Sequence, residues 1–114
     1  MLNPQTRPGG ADSAEKTMIE AIARLRLVRA RYNGAEMELA PHMLFTRHGD
    51  LFVSALNTSK NWRSDEERRL GHFKLAGLSD VALQGEPFTP LPDYDGTTPR
   101  EDDEHLFSVE IPGE

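Results

Sequence analysis

"LVRARYNGAEMELAPHMLFTRHGDLFVSAL", residues 27–56, is the stretch that decides the fold. "LVRARY" alternates apolar and polar positions and stops at Asn33-Gly34, a pair that reverses a chain in two residues because both accept a positive φ. "EMELAP" alternates again, so a β-hairpin is expected over residues 27–41. "MLFTR" and "LFVSAL", joined by His48-Gly49-Asp50, give a second hairpin, with His48 in the turn and Gly49 able to take a positive φ. Alternation puts Arg29 and Arg31 on one face of the first strand and Val28, Ala30 and Tyr32 on the other. The paired arginines suit either an anionic ligand or plain hydration.

Upstream, "SAEKTMIEAIARLR" places Met18, Ile19, Ile22 and Leu25 at helical spacing, with Asp12 or Ser13 as N-cap and Arg24 and Arg26 at the end, so a helix is expected from Ser13 to about Arg26. Residues 1–12, with two prolines and Gly9-Gly10, are expected to be disordered. Downstream, residues 57–71 lack an apolar period and read as a long loop carrying Trp62. "HFKLAGLSDVAL" gives two further strands about a turn at Ala76-Gly77. The rest is rich in proline and acid, with "LFSVEI" able to dock as an edge strand. The domain is therefore expected over residues 13–92, with an acidic tail over 93–114. One helix followed by five or six short strands points to a mainly β protein, a small, strongly bent antiparallel sheet or barrel with the N-terminal helix on it.

The 114 residues suffice for one domain, and the absence of cysteine excludes disulfides, thiolate metal sites and a cysteine nucleophile. No apolar run approaches the ~18 residues of a membrane span and the first residues lack a signal peptide's apolar core. The expected location is cytoplasmic, without membrane contact. The formal net charge of -6 hides an asymmetry: residues 16–79 are net +4 and residues 80–114 net -9. A basic body beside an acidic tail is one pattern of a polyanion binder, and also of a domain with a solubilising appendage.

Signatures of catalysis are missing: no G-x-S-x-G, no phosphate-cradling glycine loop, no H-E-x-x-H. His42, His48, His72 and His105 lie on separate segments without metal-ligand spacing, so no metal, cofactor or catalytic set is expected. The acidic run Glu101-Asp102-Asp103-Glu104 reads as an extended, hydrated segment. Arginines 24, 26, 29, 31, 63, 68 and 69 are interleaved with Tyr32, Trp62 and Phe73, the combination that binds phosphates and stacks bases. Trp62, a large ring in a charged loop, is expected to act as a lid or an interface anchor.

The order of several elements resembles the WYL domain: Ile19 and Ala21-Ile22, Val28 to Gly34, Leu39-Ala40-Pro41-His42-Met43-Leu44, Gly49 to Val53, Phe73-Lys74-Leu75, Leu78, and Phe88-Thr89-Pro90. The match covers about residues 16–90, and Leu51-Phe52-Val53 stands where the name-giving Trp-Tyr-Leu would. The resemblance implies an Sm-like small barrel that binds a nucleotide-like or nucleic-acid ligand in a basic groove. Such domains usually accompany a helix-turn-helix; none is read here, so a free-standing WYL-like domain is expected. Tyr32 and His42 match groove positions and Phe73 the aromatic of an Arg-x-Phe element, while Arg68 and Arg69 lie near its arginine but out of register. Two family arginines are replaced by Met37 and Gly77.

The expected function is thus a non-enzymatic, ligand-sensing or regulatory module that takes a nucleotide or single-stranded nucleic acid through Tyr32, His42, Arg29, Arg31, Arg68, Arg69, Phe73 and Trp62. The alternative is a protein-interaction or oligomerisation module, in which free sheet edges would favour a homodimer.

Overall fold

The two hairpins of residues 27–56 share one long strand. In the computed structural model, which describes residues 11–60, 62–64 and 67–109, helix α1 (Ala11–Arg24) leads into β1 (Arg26–Tyr32), β2 (Ala35–Arg47) and β3 (Asp50–Asn57). Then follow β4 (Leu70–Lys74), a single 3-10 turn (Leu75–Gly77), β5 (Leu78–Pro87) and β6 (Glu104–Ser108). Both hairpin turns take the expected form, with positive φ at Asn33 and Gly34 and again at His48 and Gly49. Helix α1 ends two residues earlier than its periodicity suggests, because Leu25 turns left-handed at φ 57°. The expectation of disorder over residues 1–12 concerns mostly residues outside those described, although Ala11 and Asp12 open α1.

All ladders are antiparallel, and the main path runs β4-β3-β2-β1-β5, with β6 also on β2. The outermost strands, β4 and β5, are joined by only the three residues of the 3-10 turn. So short a link forces the two ends of the sheet toward each other: the sheet is strongly bent, as the Sm-like class expected from the sequence requires, and it remains open. Gly77 sits at this closure, where a Cβ would lie 3.0 Å from Cε1 of Tyr32. A side chain at Gly77 would press on the Tyr32 ring, which would have to give by a few tenths of an ångström.

Where β2 bends, His42 forms a bulge: Pro41 pairs with Ala55 and Met43 with Ser54. Strand β1 partners β2 up to Leu39, and β6 takes over the same edge from Met43. Pro41, which has no N–H to give a ladder, falls in the gap between them. One face of the sheet packs on α1 through Ala14, Met18, Ala21 and Ile22 against Val28, Leu39, Leu44 and Val53. Ile19, expected in the helix's apolar stripe, is exposed. The opposite face carries a smaller cluster, Leu27, Ala40, Leu56 and Leu91, flanked by Trp62, Leu70, Phe88 and Tyr94. The chain after β5 is built into the domain, since Leu91, Asp103 and Val109 are all buried. Residues 93–109, expected as an acidic tail with a possible short edge strand, supply such a strand as β6 on β2 and are anchored through the buried Asp103 and Val109.

Gly77→Ala should cost about 1–3 kcal/mol, the usual cost of overpacking, read as a lower urea midpoint; Gly85→Ala, with nothing within 4 Å of the new Cβ, should cost clearly less.

Candidate functional site

Arg29 and Arg31 face solvent on the sheet's smaller-cluster side, beyond the part that Leu27 covers. Directly across the ladder stand Glu38 and Glu36, and Arg29 reaches Glu36 at 3.7 Å while Arg31 reaches Asp80 of β5 at 3.4 Å. They form an exposed ladder of ion pairs, each worth about 0.2–1 kcal/mol. Tyr32 and Phe73, half-buried, meet edge to face with centroids 5.1 Å apart and pack on the larger core. Trp62 packs on the sheet: its Nε1–H donates to the Asn57 carbonyl at 3.0 Å, Lys60 Nζ lies 4.5 Å from its ring centroid, and the ring rests on the smaller cluster.

His42 is fully buried, and both ring nitrogens are engaged within the chain. Nδ1 lies 2.9 Å from the Ala40 carbonyl, so it carries the proton, and Nε2 accepts the Leu91 N–H at 3.1 Å. Its own carbonyl accepts from Val109 N–H at 2.9 Å and from the Tyr94 hydroxyl at 3.3 Å. Tyr94 and Phe88 pack on the imidazole with centroids 5.1 and 5.4 Å away. His42 thereby pins the strap, residues 88–109, to the bulge of β2. Burial pushes its pKa down, keeping the ring neutral.

The strap and the chain entering β4 enclose a cleft of about 410 Å³. Arg68, Arg69 and His72 line one side, and Asp93, Tyr94 and Asp95 the other. Burial lowers the pKa of His72, helped by the neighbouring Arg47 guanidinium and opposed by the Asp103 carboxylate. Of the residues proposed from sequence, Arg68 and Arg69 line the cleft. Trp62 stands behind it, in the cluster it shares with Leu70 and Leu91 of the lining. Arg29, Arg31, Tyr32, His42 and Phe73 do not line it.

No protein-family model, curated protein or solved structure matches this chain. Its own geometry carries the functional reading. Among the described residues no three His, Asp or Glu side chains are placed to hold a metal ion, and no helix is long and apolar enough to cross a membrane.

Sequence reasoning missed one charged pair. Asp103, in the acidic run expected to be hydrated, is buried and takes a bidentate bond from Arg47 at 2.8 and 2.9 Å, plus the Arg100 N–H at 2.9 Å. The Arg47 guanidinium also lies 5.0 Å from the centroid of Phe52 and 5.2 Å from that of Phe45. The Arg47 hydrogen bonds hold the Asp103 carboxyl below the usual range, and the same bonds raise Arg47. The one hint in the sequence was an arginine at the end of an apolar strand, which reads equally well as a surface charge.

These shifts fix the sign of the pH dependence. His42 is depressed in the fold, so its contribution is complete above the unfolded value of about 6.5 and is lost as pH falls from there through the folded value. The Asp103 contribution is complete above about 3.9 and goes only at lower pH. Urea unfolding of the wild type should therefore weaken between about pH 6.5 and 5, before carboxylates titrate. His42→Gln should be less stable at pH 7.5 by about 1–3 kcal/mol, the cost of a buried polar group losing its partner, and should show a shallower slope in that window. His72→Gln, run in parallel, measures the share belonging to the other shifted histidine.

Proposed function

We propose that this protein is a non-enzymatic binding module whose ligand, a small nucleotide-like anion, enters the cleft between the β4 lead and the strap. The observation that carries this reading is the convergence of two consecutive arginines, Arg68 and Arg69, with a half-buried tyrosine, Tyr94, on one cavity of small-molecule size. Guanidinium groups supply the forked donors that phosphate or carboxylate oxygens accept, and an aromatic ring supplies an apolar wall. The WYL-like order of the sequence suggests an anionic ligand, although the residues matching that family's groove, Tyr32, His42 and Phe73, lie outside this cleft. A regulatory role would follow from coupling ligand occupancy to the strap, which forms one wall of the cleft.

A protein-interaction reading is favoured by one separate observation, the exposure of Leu106 on β6 and Ile19 on α1, two large apolar side chains left uncovered. Leu106→Asp would abolish such an interaction and leave nucleotide binding intact.

Trp62 is the only tryptophan and abuts the residues behind the cleft, so its fluorescence reports on occupancy. Titration with mononucleotides should give a saturable change that weakens as salt is raised. Arg69→Glu should reduce affinity at least about ten-fold, since hydrogen bonds to charged groups contribute about 1.5–3 kcal/mol, whereas Arg29→Glu should change it little. A flat response from folded protein would overturn the anion-site reading.

A further inference from the structure

The cleft contains charges of both signs, and the negative ones belong to the strap. Asp93 and Asp95 share the lining with Arg68 and Arg69. Asp95 is fixed in place: its Oδ1 accepts the Thr97 N–H at 3.0 Å and the Thr97 hydroxyl at 2.7 Å. Those bonds hold its carboxyl below the usual range, so it stays ionised at neutral pH. An ionised carboxylate offers about four acceptor positions, so the bonds to Thr97 leave capacity on Oδ2.

Two carboxylates beside two guanidiniums penalise a ligand that brings negative charge alone, because like charges brought together on binding are a device of rejection. A ligand that carries an anionic group and also N–H donors satisfies both halves of the lining. Beyond the cleft, the strap continues into the exposed carboxylates Glu101, Asp102 and Glu104, which repel an extended polyanion further. Resting on the anion-site reading above, we infer that Asp93 and Asp95 are specificity residues. They restrict the cleft to small anions bearing N–H donors, of which a mononucleotide with an amino-substituted base is the fitting class. Bare polyphosphates and nucleic-acid strands are turned away. The phosphate lies toward Arg68 and Arg69, and the base edge toward Asp95, whose Oδ2 accepts from an N–H of the base.

The test compares guanosine monophosphate, pyrophosphate and a short single-stranded DNA at one ionic strength, by calorimetry and by Trp62 fluorescence. The proteins are the wild type, Asp95→Asn and Asp93→Asn. Asparagine keeps the oxygen that Thr97 uses, and both positions are exposed, so far-UV circular dichroism should be unchanged. Wild type should prefer the mononucleotide to pyrophosphate and to the DNA. Asp95→Asn should tighten pyrophosphate about two- to five-fold, the range of an exposed charge pair, and loosen the mononucleotide, so that the preference shrinks or inverts. Asp93→Asn should tighten pyrophosphate in the same direction. Mononucleotide binding with a ligand preference untouched by either variant would overturn the specificity role and leave the anion site standing. DNA bound as tightly as the mononucleotide would do the same. Binding of none of the three by wild type would overturn both.

Discussion

The bulge at His42 is the constraint on which the rest of the molecule depends. A thirteen-residue strand cannot serve β1, β3 and β6 while staying flat, and the extra residue lets β2 turn out of one partner's plane into another's. The same residue then fastens what covers the bend. A neutral imidazole is suited to this because one nitrogen donates inward to the Ala40 carbonyl while the other accepts from the strap, which neither a carboxylate nor an ammonium could do. Its carbonyl, left without a β1 partner beyond Leu39, takes up Val109 and Tyr94. Bend, strap and cleft wall thus trace to one position.

Much of the architecture was legible because it is written in short-range signals. Asn33-Gly34 and His48-Gly49 announce their turns through φ alone, and alternation sets the register of β1 and the start of β2. The boundary in β2 was less accessible: "EMELAP" and "MLFTR" read as separate strands because Pro41-His42 interrupts the alternation, and a bulge interrupts it in the same way. The strap was the largest loss. Its proline and acid content matches that of a solvated tail, and only contacts distant in sequence, such as Arg47 with Asp103 and His42 with Leu91, reveal that it is anchored to the sheet at a few buried points. Composition reports the average environment of a segment, whereas three or four well-placed side chains can seat it.

The candidate site shows the same division. Arginines are easy to see in a sequence, but their partners are not. Arg29 and Arg31 draw the eye by their spacing, and the sheet gives each a carboxylate neighbour on an open face. Arg68 and Arg69 stand in a loop without a pattern, and only the fold of the strap gives them a concavity and a tyrosine to share. Charge counting along the chain sorted residues 16–79 from 80–114 as basic and acidic halves, and the fold interleaves the two.

The position of β6 bears on how the chain reaches this state. Strands β1 and β6 come from opposite ends of the domain yet lie end to end on one edge of β2, so that edge is complete only when both are present. During synthesis the helix and the hairpins emerge first and can collapse together, while the stretch of β2 beyond Pro41, paired with β3 on one side, has its other edge unpaired until β6 arrives. A nascent chain at that point presents an open strand edge of the kind that recruits other chains. Seating of the strap joins residues distant in sequence, and until it is seated this edge of β2 is open to pairing with another copy of the chain.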